Sequence, residues 1–302
     1  MTISHPSNVK NILASGIDFL VISMNIDWKD DSFFNVLDDL KEKAKEYSHD
    51  YQGSIKHFNT EEVFPFAIKP HGTKGFSWIL TGADFTYKIA KSTAPNSRPN
   101  GMIEFRSEAL WRLGAADVLR IALSIIDANE GHIIEAKLSR VDLCLDFIMP
   151  EDRWSYELME YAVTRAADTQ PFYHHKRLTG ISIGKDIISA RLYDKPLEIQ
   201  QKSNKYWMFD IWRIKEVPLG KKIIRIEFQM RREALKELGL KTSEDLFQKI
   251  DQAWAYCTKN WLKFQDRPGL HHTQRSTFKW YEEIQDGFRG VQGAEPLVRE
   301  KA

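Results

Sequence analysis

Cysteine is nearly absent from the 302-residue sequence: Cys144 and Cys257 are the whole complement. Two isolated cysteines build neither a disulfide framework nor a C-x-x-C pair, which points to a reducing compartment, and a cytoplasmic location is expected. No apolar run nears the roughly 20 residues needed to cross a bilayer, so no membrane partner is expected. The opening residues 1–31 lack a basic segment leading into an apolar one and a small-residue cleavage site, so secretion is not expected either. A surplus of one charge is missing as well. The 43 Lys and Arg against 42 Asp and Glu give a net charge of +1, so a polyanion could be met only through local clustering. What the chain has in quantity is core-forming material, 42% hydrophobic and 12% aromatic, which excludes a disordered chain and suffices for one large domain or two ordinary ones.

The order of motifs suggests one unit written twice. The first opens on GIDFLVISMNID (16–27), strand-like in its β-branched content, followed by SFFNVLDDLKEKAKEY (32–47), whose Phe33, Val36, Leu37 and Leu40 share a helical face. VFPFAIK, FSWILTG and DFTYKIA read as short strands and KSTAPNSRPN (91–100) as a loop. GMIEFRSEALWRLGAADVLRIALSIIDANEG (101–131) reads as a strand running into a long helix capped by Gly131. The second unit repeats this with strand KLSRVDLCLDFIM (137–149), helix WSYELMEYAVTRAAD (154–168), strands FYHHKRL, GISIG and SARLYDK, and the strand–helix KKIIRIEFQMRREALKELG (221–239). Asp18 precedes Glu104 by 86 residues and Asp142 precedes Glu227 by 85. Nearly equal spacing supports an internal duplication, against chance similarity at two strand–helix junctions. The expected fold is α+β: two similar antiparallel-sheet units with helices on one face, at 1–131 and 132–240, then a C-terminal helix and polar tail at 241–302.

Three strands of the second unit alternate charged and apolar residues. Arg140, Asp142, Cys144 and Asp146 lie on one face of the first. Arg191, Tyr193 and Lys195 share a face of the second, and Arg225, Glu227, Gln229 and Arg231 a face of the third. A solvated sheet face is the plain explanation for any one of them. Together they gather arginines and short aspartates where lysine and glutamate are usual. Asp142 and Asp146, four apart on a strand, are separated by about 13 Å. One ion therefore needs a carboxylate from another strand, and Glu227 is the first candidate. A tyrosine between arginine and lysine suggests a nucleophile, because neighbouring cations favour the phenolate and the phosphate it attacks. Carboxylates could hold a hard divalent ion that polarises the phosphoryl oxygen. Residues 185–232 carry twelve Lys and Arg against six acids, a local balance that suits a polyanion. Within them KSNKYWMFDIWRIK (202–215) interleaves Lys202 and Lys205 with Tyr206, Trp207, Phe209 and Trp212. It serves either to stack unpaired bases or to anchor the fold through buried rings.

SRVDLCLDF, ARLYDKPLE and IIRIEFQMR, in that order, resemble the signature of the replication initiation factor family, the rolling-circle replication initiators and related relaxases of mobile elements. The matching positions are Arg140, Asp142 and Asp146; Arg191, Tyr193, Lys195 and Glu198; and Arg225, Glu227 and Arg231. The resemblance covers roughly residues 15–240. It implies that Tyr193 nicks one DNA strand and stays joined to the 5′ phosphate, with Arg191 and Lys195 assisting. Asp142, Asp146 and Glu227 would hold Mg2+ or Mn2+, and Arg140, Arg225, Arg231, Lys202, Lys205 and Trp207 would contact DNA. No H-x-H pair occurs among the nine histidines, so a carboxylate-based metal site is the expectation, with His174 or His175 as accessories. DNA is the expected partner, as an origin in single-stranded or supercoiled form, alongside a host helicase and a second copy of the chain. Tyr87 is expected as a relic or a DNA contact, and Tyr206 and Tyr281 compete more weakly as nucleophiles. Two alternatives stay open: an origin-binding or regulatory protein without chemistry, and a metal-dependent nuclease without a covalent intermediate.

Overall fold

The computed structural model describes residues 11–56, 63–93, 98–266, 271, 274–290 and 293–300. Residues 94–97 of the expected loop, and His272, lie outside this set. The chain separates into two compact units. One holds Asp18–Val141 with Lys241–Ser243; the other holds Asp142–Leu240 with residues from both ends of the chain. The C-terminal helices thus belong to the second unit, and the division falls within a strand, ten residues beyond the expected boundary.

The first unit takes in β1 (Ile12–Trp28) from Asp18 onward and α1 (Ser32–Tyr47), then β2 (Tyr51–Lys56), β3 (Val63–Ile68), β4 (Trp78–Thr81), β5 (Phe85–Ile89) and β6 (Gly101–Phe105). The helices α2 (Ser107–Leu113) and α3 (Ala115–Ala128) follow. The strand order is β2-β3-β4-β5-β6-β1, and its pairings are antiparallel. Alternation places Phe85, Tyr87 and Ile89 in the core, where α1 contributes Phe34 and Leu37 and α3 contributes Val118, Ala122 and Ile125. The Phe34 and Trp78 rings stack at 5.1 Å. The long helix expected within 101–131 is two helices, because Gly114 stands at φ 83° and ψ 147°, open in practice only to glycine. Gly131 opens the next strand and does not cap a helix. Strand β2 adds to the expected set: YQGSIK, interrupted by glycine, carries little strand signal.

That next strand is β7 (Gly131–Pro150), followed by β8 (Ala162–Thr164), β9 (Thr169–His174), β10 (Arg177–Ile183) and β11 (Ile188–Asp194). Two short helices, α4 (Lys195–Glu198) and α5 (Met208–Trp212), lead to β12 (Lys221–Arg231) and α6 (Arg232–Glu237). The chain continues through α7 (Ser243–Ala255), β13 (Leu262–Phe264) and α8 (Lys279–Asp286). Here the order is β7-β12-β11-β10-β9. Ile224, Ile226, Phe228 and Met230 of β12 and Ala190 and Leu192 of β11 are buried, and Phe228 meets Trp254 of α7 edge-on at 5.4 Å. The helix expected over 154–168 does not form. Tyr156–Tyr161 make a 3-10 turn, and β8 pairs with β13 in a separate two-stranded sheet. Trp154 is buried, its indole N–H donated to the Leu178 carbonyl at 3.0 Å, so its ring serves the sheet and not a helix face.

Candidate functional site

Strand register assembles the site. Pairings of β12 with β11, β11 with β10 and β10 with β9 put Glu227, Arg191, Ser182 and Gln170 in one row across the sheet, and Arg225, Tyr193, Gly180 and Phe172 in the next. These rows lie on the face opposite the apolar one. A Cβ built at Gly180 would sit 3.1 Å from the Tyr193 Cβ, so the glycine leaves the base of the tyrosine uncrowded.

Tyr193 donates its hydroxyl to Oε2 of Glu227 at 2.9 Å. Tyr193 is half-buried, Glu227 is buried, and Arg191, in the same row as Glu227, is exposed. Lys195 does not continue the strand as expected. Asp194 ends it by accepting from the Leu197 amide at 3.2 Å, and Pro196 fits the first turn of α4. The buried Lys195 ammonium still lies 5.5 Å from the centre of the Tyr193 ring. Glu198 holds it at 2.6 Å and accepts from Ser203 at 3.1 Å. Sequence, structure and register therefore bring Arg191, Tyr193, Lys195, Glu198 and Glu227 together.

The other rungs differ from expectation. Asp146 receives Arg225 through both oxygens, Nε at 2.6 Å and Nη2 at 2.7 Å, and the Trp212 indole N–H at 2.8 Å. All three side chains are buried, and Met208 Sδ lies 3.7 Å from Arg225 Nη2. Asp146 was expected on a metal and Arg225 on DNA; instead they neutralise each other in the core, as a buried charge requires. Trp212 and Met208 had not been singled out as their partners, although four-residue spacing in α5 was a sign that one face is buried. The aromatic segment 202–215 accordingly anchors the fold through these two residues. Of the residues expected to meet DNA there, Lys202 is exposed, and Lys205 and Trp207 are half-buried.

Asp142 is buried. Among the described residues no three His, Cys, Asp or Glu side chains gather as a metal-holding group. With the oxygens of Asp146 engaged by Arg225 and Trp212, the residues present do not fit the carboxylate set expected for Mg2+ or Mn2+. Arg231 is exposed at the end of β12, and Arg140 lies with its guanidinium 4.5 Å from the centre of the Phe19 ring, a cation–π contact on β7.

Two rival tyrosines are removed by burial. Tyr87 donates to the Ala122 carbonyl at 2.6 Å and Tyr281 to that of Leu262 at 2.8 Å. Both side chains are fully buried, out of reach of DNA in this structure, and loss of hydration pushes both phenols well above their ordinary pKa. Tyr206 is exposed and lines a cleft of about 420 Å³ with Phe209, Gln200, Lys221 and Lys222. His174 approaches Gln201 at 3.3 Å through Nδ1 and has no place among a ligand set.

No protein-family model matches the chain, and no curated protein matches it in sequence. Solved structures do match. The fold is similar to that of the rolling circle replication initiator protein from Geobacillus stearothermophilus, with a TM-score of 0.51 over 94% of this chain and 99% of that one. Sequence identity between the two is 10%, so it is the architecture that they share. The chain has an α+β fold, and the overall architecture is what it has in common with that structure.

Proposed function

We propose that the protein cuts and rejoins one DNA strand through Tyr193, as a rolling-circle replication initiator or relaxase. The observation that carries this reading is the 2.9 Å hydrogen bond from the Tyr193 hydroxyl to Glu227, beside an exposed arginine on a polar sheet face. Glu227 takes the phenolic proton as the oxygen attacks the phosphorus. The bond between phosphorus and the 3′ oxygen breaks, that oxygen takes the proton now held by Glu227, and the 5′ phosphate remains as a tyrosyl ester. The ester keeps the energy of the cut bond, so the reverse attack by a 3′ hydroxyl restores the strand. Arg191 supplies charge at the phosphate, and Lys195 steadies the tyrosine from beside its ring.

One observation favours a second reading, a DNA-binding regulator without chemistry: Asp146 is consumed by Arg225, and the expected carboxylate set is not assembled. Incubation with single-stranded fragments of the flanking DNA, with and without Mg2+ or Mn2+, separates the two. A covalent adduct on a denaturing gel, lost in Tyr193→Phe, supports the nicking reading. DNA binding with no adduct under any ion supports the regulator.

A further inference from the structure

The tip of the β9–β10 hairpin takes no part in the proposed reaction, yet it holds a run of exposed side chains out from the fold. Every residue from Phe172 to Arg177 is exposed, Phe172 at 46% and Tyr173 at 55%. Between the paired His174 and Arg177 the turn has two residues, His175 and Lys176, with φ of 45° and 64°. A turn of this kind favours Asn-Gly, and larger side chains are strained in it. Strain held at this point keeps an imidazole and an ammonium at the tip, next to a guanidinium. Protection of an edge strand explains part of the design. β9 has β10 as its neighbour at the end of the order, Pro171 removes a donor, and the register shift between Leu178 and Gly180 twists the ribbon. Protection does not explain Phe172 and Tyr173, which alternate onto the two faces of that edge. A strand guarded only against association would be polar there.

We infer that this hairpin is a β-ribbon that binds duplex DNA in the major groove, beside the strand to be cut. A two-stranded ribbon has the width of that groove. Lys176 and Arg177 match the charge of the phosphates, and the two rings offer apolar contact to base edges. Phe172 shares a row with Tyr193 across Gly180, so a duplex on the ribbon places the adjoining strand near the hydroxyl. The location of the duplex rests on the nicking reading; the binding itself does not.

The test is fluorescence anisotropy of the full chain with a mixed-sequence duplex of about three helical turns, and with one of its strands alone, over a salt series. Lys176→Ala/Arg177→Ala should weaken duplex binding about tenfold and flatten the log–log salt slope by about 2, the share of two phosphates. Phe172→Ala/Tyr173→Ala should weaken it with the slope unchanged. Both should leave single-strand binding and the melting temperature as they were. Unchanged duplex affinity overturns the inference, and so does an equal loss on duplex and single strand, which marks a general cationic patch. An adduct that persists in Tyr193→Phe removes the nucleophile and leaves the ribbon standing, so the two failures are told apart.

Discussion

Removing one partner of a buried ion pair leaves the other charge uncompensated, which sets different expectations for the carboxylates of this protein. Asp146→Ala strands the fully buried Arg225 and should cost about 3–5 kcal/mol in urea unfolding. If Asp146 were a metal ligand only, the variant would lose activity and keep its stability. Tyr193→Phe is a milder change, although not a silent one. It takes a donor from the buried Glu227, for an expected cost of about 1–3 kcal/mol, and should abolish the covalent adduct. Glu227→Gln keeps the shape and removes the base, so adduct formation should slow by roughly 100-fold or more while folding is preserved. A variant that forms the adduct at the wild-type rate would discard Glu227 as the base. The placing of Tyr193 beside Arg191 and Lys195 was legible from their order along the chain. The fate of Asp146 and Arg225 was not, because a strand pattern shows which face a residue is on and not what covers that face.

At the scale of elements, one glycine and one short helix decide more than the long periodic segments. Gly114 separates α2 from α3 in a backbone region that other residues rarely enter. Gly114→Ala should destabilise by about 1–3 kcal/mol, read as a lower melting temperature with unchanged helical circular dichroism below it. An unchanged melting temperature would mean that the helices rejoin into one. Helix α4 does for the site what a longer β11 could not. By turning the chain after Asp194 it places Lys195 over the tyrosine ring and sends the following segment across the Asp146–Arg225 pair. The alternation in β11 and β12 was readable because their apolar residues recur with period two. The segment 154–168 misled because its spacing is helical, while Trp154 is drawn to a carbonyl of β10 and β8 to β13.

Across the whole molecule the two units follow the same strand order, β1-β6-β5-β4-β3 in one and β7-β12-β11-β10-β9 in the other, with β2 added to the first. The near-equal spacings from Asp18 to Glu104 and from Asp142 to Glu227 fall between strands at matching places in these two orders, β1 to β6 and β7 to β12. Each unit also encloses a phenol, Tyr87 or Tyr281, whose folded pKa is raised by burial. A raised folded value means that stability from these groups is complete below about pH 10, where the unfolded phenol titrates, and is lost as pH rises toward the folded values. Tyrosinate absorbance from both should therefore appear together with alkaline unfolding, and the melting temperature should fall steadily from about pH 10 upward. Gradual titration of every tyrosine in the folded state would contradict their burial. Sequence by itself determined the α+β class, the strands with period two, and the grouping of Arg191, Tyr193 and Glu227, since alternation and order in the chain are local properties. Tertiary structure decided which charges stay exposed and which are buried and paired. Asp146 and Arg225 look like a metal ligand and a DNA contact until Met208 and Trp212, drawn from a distant segment, close over them. A charge shut away from water must then be neutralised by the nearest opposite charge, and no pattern along one strand records that closure.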